Sequence, residues 1–322
     1  MLTRTTQIYK YIILKSNLIL FYDFSVFLQF FYHILLLIVY NALIKQKGLL
    51  MSYIPLIARI ESLPPLPESV LEIEKLFAQG DPDIDKLVKI IESDPLLTAD
   101  VLSKANAPYY GFSKTIVSVL QAVTLFGSTQ IRSLVLSASI ERGFDVDLSP
   151  YDISTSMFSK ISAMQSELVF QWYMGVNIDV ARDVTPIAFL MEIGKILIAK
   201  DVIANHKTEA FLEDLHTYND IDYVENMYTM MTTAQINALI FEHLNLNESF
   251  YETMKYLDNE KEIPKALEDM VMALRIVRLA LNVQEQLTED SLASAVEMLE
   301  QHKYNPNTFL RAAKRIRKKY LD

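Results

Sequence analysis

The chain has 322 residues, of which 51% are apolar and 22% charged, so it is long enough to bury one large hydrophobic core or two smaller ones. It has no cysteine, which excludes disulfide frameworks and cysteine nucleophiles. Its seven glycines form no Gly-x-Gly, Asn-Gly or Asp-Gly sequence, which excludes glycine-rich phosphate loops and disfavours tight β-hairpins. Residues 1–50 contribute five Lys or Arg and one Asp, so residues 51–322 keep 25 basic and 39 acidic side chains, and nucleic acid is not expected as a partner of so acidic a body.

The first 50 residues differ in composition from the rest. Residues 18–44 are mostly apolar and long enough to cross a bilayer, but they include Asp23, Gln29 and His33. One interpretation is a membrane anchor. The other is an over-extended reading frame whose true start is Met51, because Lys47-Gly48 can be encoded by a ribosome-binding sequence. The second interpretation predicts a cytoplasmic protein.

From Ser52 onward the apolar spacing predicts helix after helix. The first is bounded by Pro67 and Gly80, the second runs over 84–91, and Asp94 with Pro95 predicts a capped start for the third, which Pro108 ends. Helices are then predicted at 116–126 and from Ser128, and further on near 154–173, 179–203, 208–217, 221–230, 232–244, 248–258, 263–283, 289–301 and 306–320. No alternating apolar run is present, so the fold class is all-α.

Residues 187–198 are apolar nearly all round except for Glu192 and Lys195. Such a helix is typical of the centre of a domain. Gly194 within it is expected to allow another helix to approach closely, and Glu192 is expected to be a buried glutamate beside Lys195 or at a helix N-terminus.

Several separated blocks carry a family resemblance: Leu63-Pro64-Pro65-Leu66-Pro67, residues 90–102, residues 105–111, residues 116–122 and Leu125-Phe126-Gly127. Together they resemble the HDOD family over about residues 57–257, with departures at Ala107 and Phe126, where serine and leucine are commoner. The resemblance implies the fold of the HD phosphohydrolases without their metal site, in a bacterial signalling protein. It divides the chain into a hydrophobic segment 1–50, an HDOD domain 51–258 and a C-terminal helical extension 259–322.

The resemblance also implies where an HD enzyme would hold its metal. Residues 189–195 are similar to the segment that contains the His-Asp pair, which places Met191 at the histidine and Glu192 at the aspartate, followed by Gly194 and Lys195. The later histidine pair corresponds to Leu257-Asp258. A thioether is a poor ligand for a hard hydrolytic metal, so this is a degenerate HD motif. No metal and no cofactor are expected.

The residue inventory supports the same expectation. The five histidines, at 33, 206, 216, 243 and 302, include none followed by Asp. A metal site formed by Glu192 with His206 or His243 is the alternative to simple burial of the glutamate. No arrangement for nucleophilic catalysis is found, and no catalytic residue is predicted.

Two features could serve binding. In the last helix Arg311, Lys314, Arg315 and Lys318 recur at helical spacing and form a basic face on an acidic body. This face is either a solvent-exposed set of cations that interacts favourably with the negative end of the helix dipole, or a docking surface for an acidic partner. Aromatic and methionine residues near 170–174 and 223–231 are predicted to be core rather than a groove.

The expected function is therefore a non-enzymatic signalling or scaffold module that binds a protein partner, with a nucleotide messenger left open as a further ligand. The alternative is a divergent metal-dependent phosphohydrolase. A membrane is expected as a partner only if residues 1–50 are expressed.

Overall fold

The computed structural model describes residues 56–259 and 262–322. A helical stretch at 56–61 comes first. The helices that follow are α1 Glu68–Ala78, α2 Ile84–Ser93, α3 Pro95–Ala105, α4 Val119–Phe126, α5 Ser128–Glu141, α6 Thr155–Tyr173, α7 Ile178–Leu190, α8 Gly194–Ala204, α9 Thr208–Tyr218, α10 Ile221–Thr229, α11 Thr233–His243, α12 Glu248–Lys255, α13 Glu268–Ala280, α14 Glu289–Gln301 and α15 Pro306–Tyr320. Two 3₁₀ turns, Pro108–Tyr110 and Ser149–Tyr151, complete the helical elements.

The all-α prediction is confirmed: the described ranges contain no strand and only an isolated bridge between Leu281 and Gln286. Side-chain caps explain why the helices begin where they do. Asp94 accepts hydrogen bonds from the amides of Leu96 and Leu97 at the start of α3, with Pro95 as its first residue, as predicted. The side chains of Ser118, Ser154, Asn177, Asp220, Asn247, Thr288 and Asn305 cap other helices in the same way.

The single helix predicted over 179–203 is wrong, because α7 ends at Leu190 and α8 begins at Gly194. The amide side chain of Asn237 on α11 lies in the break. Its Nδ2 donates to the Met191 carbonyl at 2.6 Å, and its Oδ1 accepts from the Gly194 amide at 2.7 Å. One side chain thus satisfies backbone groups at the end of one helix and the start of the next.

The core is centred on α6 and α7, which are joined by residues 174–177 and pack against each other. Helices α5 and α13 also pack on α7, and α15 packs on α6. The apolar side of α15, with Phe309 and Ile316 fully buried, closes this face of the core. The rings of Phe309 and Trp172 meet edge to face at 5.1 Å between centroids.

Contacts group Ser52–Asp322 into one compact unit, in which the helices after residue 258 pack against those before it. None of the helices in residues 56–259 and 262–322 is long and apolar enough to cross a bilayer. The two interpretations of residues 1–50 concern residues outside the described part of the chain.

Candidate functional site

A cleft of about 630 Å³ lies between the start of α8, the turn from α9 to α10, the end of α12, and α13 and α14. Its floor is buried and includes Glu192, Lys195 and Leu257. Its rim is exposed and includes Asp220 and Ser294. The two segments that the resemblance aligned with the HD metal site, 191–195 and 257–258, therefore meet at one cleft.

Met191, at the position of the HD histidine, is fully buried and its carbonyl is bonded to Asn237. It does not line the cleft. Glu192 and Lys195, on the adjoining turn and helix, are each 1% exposed. Gly194 lies against α11, and a Cβ atom placed on it would be 2.8 Å from the Thr233 carbonyl oxygen. This close approach of two helices is what the glycine predicted.

A buried ion-pair network is formed around Lys195. Its Nζ donates to Glu225 Oε1 at 2.7 Å and to Thr233 Oγ1 at 3.1 Å. Glu192 Oε2 lies 3.1 Å from the same Nζ and forms an ion pair with it. One ammonium group therefore compensates two carboxylates, and all three side chains are at most 1% exposed.

Glu225 is the most completely bonded member of the network. Its carboxylate accepts from the Thr233 amide at 2.6 Å, from the Thr233 hydroxyl at 2.8 Å and from the Tyr151 hydroxyl at 2.9 Å. These donors, together with Lys195, fill most of its acceptor positions. Burial of a charge without such partners would be costly, so this carboxylate is a structural element of the fold.

Neighbouring charges keep Glu192 and Lys195 ionised. Burial by itself would raise the pKa of the Glu192 carboxyl, but the Lys195 and Arg278 charges and a hydrogen bond from Gln165 keep that pKa below its ordinary value. Burial would lower the pKa of Lys195, but Glu192 and Glu225 raise it above its ordinary value. At neutral pH both groups are charged.

A second ion pair lines the cleft beside the first. Arg278 on α13 donates from Nη2 to Asp222 Oδ1 at 2.6 Å. Although burial opposes this, the Arg278 and Lys195 charges lower the pKa of Asp222. Asp258 accepts a short hydrogen bond from the Thr232 hydroxyl. Its pKa is raised by burial and by the nearby Asp222 carboxylate.

These residues do not fit a hydrolytic metal. A metal of this kind needs several imidazole or carboxylate ligands and an open position for water. The HD histidine position holds a buried thioether, the carboxylate of Glu192 contacts Lys195, and Leu257 offers no donor. Within residues 56–259 and 262–322 no group of three His, Cys, Asp or Glu side chains is placed to hold a metal ion.

The basic face of α15, defined as Arg311, Lys314, Arg315 and Lys318, lies on the exposed side of the helix. None of the four forms an ion pair with a described residue, and Arg311 Nε donates only to the Asn307 carbonyl at 3.2 Å. The neighbouring Lys319 and Tyr320 are instead tied to Glu167 of α6, at 2.7 and 2.6 Å. The helix is therefore anchored by other residues, and the basic face is free of intramolecular ion pairs with the described part of the chain.

The prediction that the aromatic and methionine residues are core is correct for Trp172, Tyr173 and Met231, which are buried. Phe170 and Tyr228 are partly buried and pack against the core. The prediction is wrong for Met174, Tyr223, Met227 and Met230, which are 38–53% exposed. Helical spacing alone does not distinguish a stripe that faces the core from one that faces solvent.

Several residues of the site had no signal in the sequence analysis. Glu225, Thr233 and Asn237 lie on helices predicted from their apolar positions, and Tyr151 lies in a 3₁₀ turn. In sequence they lie 30–44 residues from Lys195. Only the packing of α10 and α11 against α8 brings Glu225 and Thr233 to Lys195, and Asn237 to Gly194. Lys195 already has a carboxylate partner three residues away in sequence, Glu192, so the lysine gave no signal of a second, distant acid.

Comparison with known proteins identifies a family for this chain. The sequence model of the HDOD domain family matches residues 63–260. Over 84 residues the chain is 29% identical to an uncharacterized protein of Treponema pallidum (strain Nichols). That alignment covers 26% of this chain and 16% of the relative, so the chain spans far less than two thirds of that curated protein.

Solved structures share the fold. A virulence factor of Campylobacter jejuni subsp. jejuni is 25% identical with a TM-score of 0.53, over 84% of this chain and 97% of that one. An HDOD domain protein of Geobacter sulfurreducens has a TM-score of 0.58 at 15% identity, over 86% and 99% of the two chains. A Shewanella amazonensis SB2B protein with the provisional name of phosphohydrolase has a TM-score of 0.55 at 16% identity, over 82% and 93%. The last two likenesses show the fold alone.

Proposed function

Because the chain belongs to the HDOD domain family, we propose that it is a non-enzymatic signal-transduction module that acts by binding a protein partner. The observation that carries the proposal is the network around Lys195. The carboxylate at the HD aspartate position is held by a lysine of its own chain at 3.1 Å. The HD histidine position holds the buried thioether of Met191, and the first position of the later histidine pair holds the aliphatic Leu257. The residues at the site thus perform a structural task.

The first test is metal content and hydrolysis. We expect the purified chain to retain no stoichiometric zinc, manganese or iron and to hydrolyse no phosphodiester, because Met191 and Leu257 supply no hard ligand. Elemental analysis of the protein as isolated and a phosphodiesterase assay with added Mn²⁺ measure both. One tightly held metal per chain, with hydrolysis that depends on it, would favour the divergent phosphohydrolase instead.

For the partner surface we propose the basic face of α15. Its four cations are exposed on a chain whose net charge is −10, and the opposite side of the helix is fixed to the core. A partner with an acidic surface would be attracted without any rearrangement of α15. Electrostatic contacts of this kind raise association rates and depend on ionic strength.

Reversal of this face is expected to abolish partner capture while leaving the fold intact. In the variant R311E/K314E/R315E/K318E the melting temperature should fall by only a few degrees, because exposed charges contribute little to stability. Recovery of the partner in a pull-down from the native cell should drop at least tenfold at low salt. For the unaltered chain, recovery should fall steeply as salt is raised.

A matched variant separates specific docking from total charge. Lys75, Lys86, Lys89 and Lys200 are exposed cations on other helices, and their replacement by glutamate changes the net charge by the same amount. We expect this second variant to recover the partner normally. Equal recovery by both variants, or equal loss in both, would contradict the assignment of the surface to α15.

We place the module in the cytoplasm, as a start at Met51 predicts. The complete absence of cysteine suits a reducing compartment. A membrane setting applies only if residues 1–50 are expressed. N-terminal sequencing of the native protein, combined with fractionation of the cells, decides between the two.

A further inference from the structure

A second, smaller pocket lies beside the C-terminal end of α15. It has a volume of about 160 Å³ and is enclosed by α4, α5, α6, α15 and the first 3₁₀ turn. Most of its lining is apolar or aromatic: Tyr110, Leu125, Phe126, Ala163 and Phe170. Small-molecule sites usually measure about 300–1,000 Å³, so this pocket has room for a single side chain and not for a nucleotide.

The rings around the pocket continue onto the surface of the protein. Tyr110 meets Phe126 edge to face at 4.7 Å between centroids, and Phe126 meets Phe112 at 5.4 Å. Phe112 and the pocket residue Leu125 are 42% and 49% exposed. Neighbouring large apolar side chains that remain exposed around a pocket are typical of a surface that another molecule covers.

The single carboxylate among the described residues that line this pocket, Glu167, already has its donors. Its Oε2 accepts from the Lys319 ammonium at 2.7 Å and from the Tyr320 hydroxyl at 2.6 Å. Its Oε1 accepts from the Gln171 side chain at 2.8 Å. The charge of Glu167 is therefore compensated within the chain, and the pocket does not repel an acidic ligand.

A row of cations leads along α15 to the pocket. Arg311, Arg315 and Lys319 are four residues apart, a spacing that places them in one row along the helix. Lys319 lines the pocket, while Arg311 and Arg315 belong to the basic face and form no ion pair with a described residue. Lys114 is exposed in the loop that carries Phe112. The apolar pocket and the basic face thus adjoin, on a chain whose net charge is −10.

We propose that the partner docks on this surface through an acidic segment that carries one large aromatic side chain. The inference rests on the proposed function, because it uses the basic face of α15, and it adds what the partner must present there. The aromatic side chain fills the pocket against Phe126 and Phe170, while the carboxylates lie along Arg311 and Arg315. A buried aromatic anchor beside complementary charges is a common source of affinity and specificity in protein interfaces.

Binding of a defined peptide to the full chain tests both features. The probe is fluorescein-labelled Asp-Glu-Asp-Gly-Phe-Gly-Asp-Glu-Asp, and the measurement is fluorescence anisotropy. We expect saturable binding that weakens as salt is raised. Replacement of the phenylalanine by alanine, or of all the acids by their amides, should weaken binding about tenfold at low salt. Absence of saturable binding, equal binding of the phenylalanine and alanine peptides, or tighter binding of an oligothymidylate of the same charge would overturn the proposal.

Paired variants place the anchor. F112Q/L125Q replaces two exposed apolar side chains at the pocket, so binding of the phenylalanine peptide should weaken about tenfold with little change in melting temperature. L96Q/M227Q makes the same kind of change on α3 and α10, where Leu96 and Met227 are 69% and 42% exposed. Binding by this control should stay within about twofold of the unaltered chain, because surface substitutions away from a site change little. Equal weakening in the two variants would refute the pocket.

Partner capture from the native cell separates this inference from the proposed function. Charge reversal of the basic face, in R311E/K314E/R315E/K318E, should abolish capture, and F112Q/L125Q should reduce it about tenfold. Loss with the charge reversal but full capture with F112Q/L125Q would overturn the anchor and leave the surface of α15 in place. Full capture by both variants would overturn the surface itself.

Discussion

Replacement of Lys195 by methionine is expected to lower the free energy of unfolding by about 3–5 kcal/mol, because it leaves two buried carboxylates without their cation. Methionine keeps most of the volume of the lysine stem, so the loss reports charge rather than a cavity. Glu192 and Glu225 are 1% and 0% exposed, and solvent therefore does little to screen their repulsion. Urea denaturation followed by circular dichroism measures the change.

A triple variant distinguishes charge imbalance from other effects of the substitution. E192Q/K195M/E225Q removes all three charges together, and replacement of a whole buried ionic group is often neutral. We expect the triple variant to be more stable than K195M alone. If K195M loses less than about 1 kcal/mol, or if the triple variant is the less stable of the two, the network does not compensate charge as its geometry indicates.

The fold was largely predictable because its determinants are local. Apolar residues at helical spacing, with Asp94-Pro95 and Pro306 at helix starts, set helix positions to within a few residues. The break at 191–193 could not be predicted in this way. It depends on Asn237, which lies more than 40 residues away in sequence and bonds to both sides of the break.

The sequence indicated where in the fold the candidate site lies, but not all of the residues that form it. The resemblance aligns Glu192 and Lys195 with the segment that holds the HD metal site, and the structure places both in the floor of the cleft. The compensating Glu225 could not be inferred, since one more acid on an amphipathic helix is normally a solvent-exposed residue. Only the packing of α10 against α8 identifies which acid is buried.

The second large effect is expected at Gly194, where even alanine should destabilise the protein. A Cβ atom there would lie 2.8 Å from the backbone oxygen of Thr233 and 3.0 Å from Asn237 Oδ1. Backbone cannot move away as a flexible side chain can, so α8 and α11 must separate. Overpacking of this kind costs about 1–3 kcal/mol, which corresponds to a fall of several degrees in melting temperature. Gly194→Leu should cost more, because three further carbon atoms enter the same contact.

Gly175 provides the matched control, because a Cβ atom on it would meet nothing within 4 Å. Gly175→Ala removes the same backbone freedom from the unfolded chain, so it should leave the melting temperature unchanged or raise it slightly. Gly194→Ala gains that same entropic benefit, and any net loss is therefore due to the contact with α11. If the two alanine variants melt together, α11 yields to the added methyl group, and the Asn237 bridge between α7 and α8 is more adaptable than its 2.6 and 2.7 Å hydrogen bonds indicate.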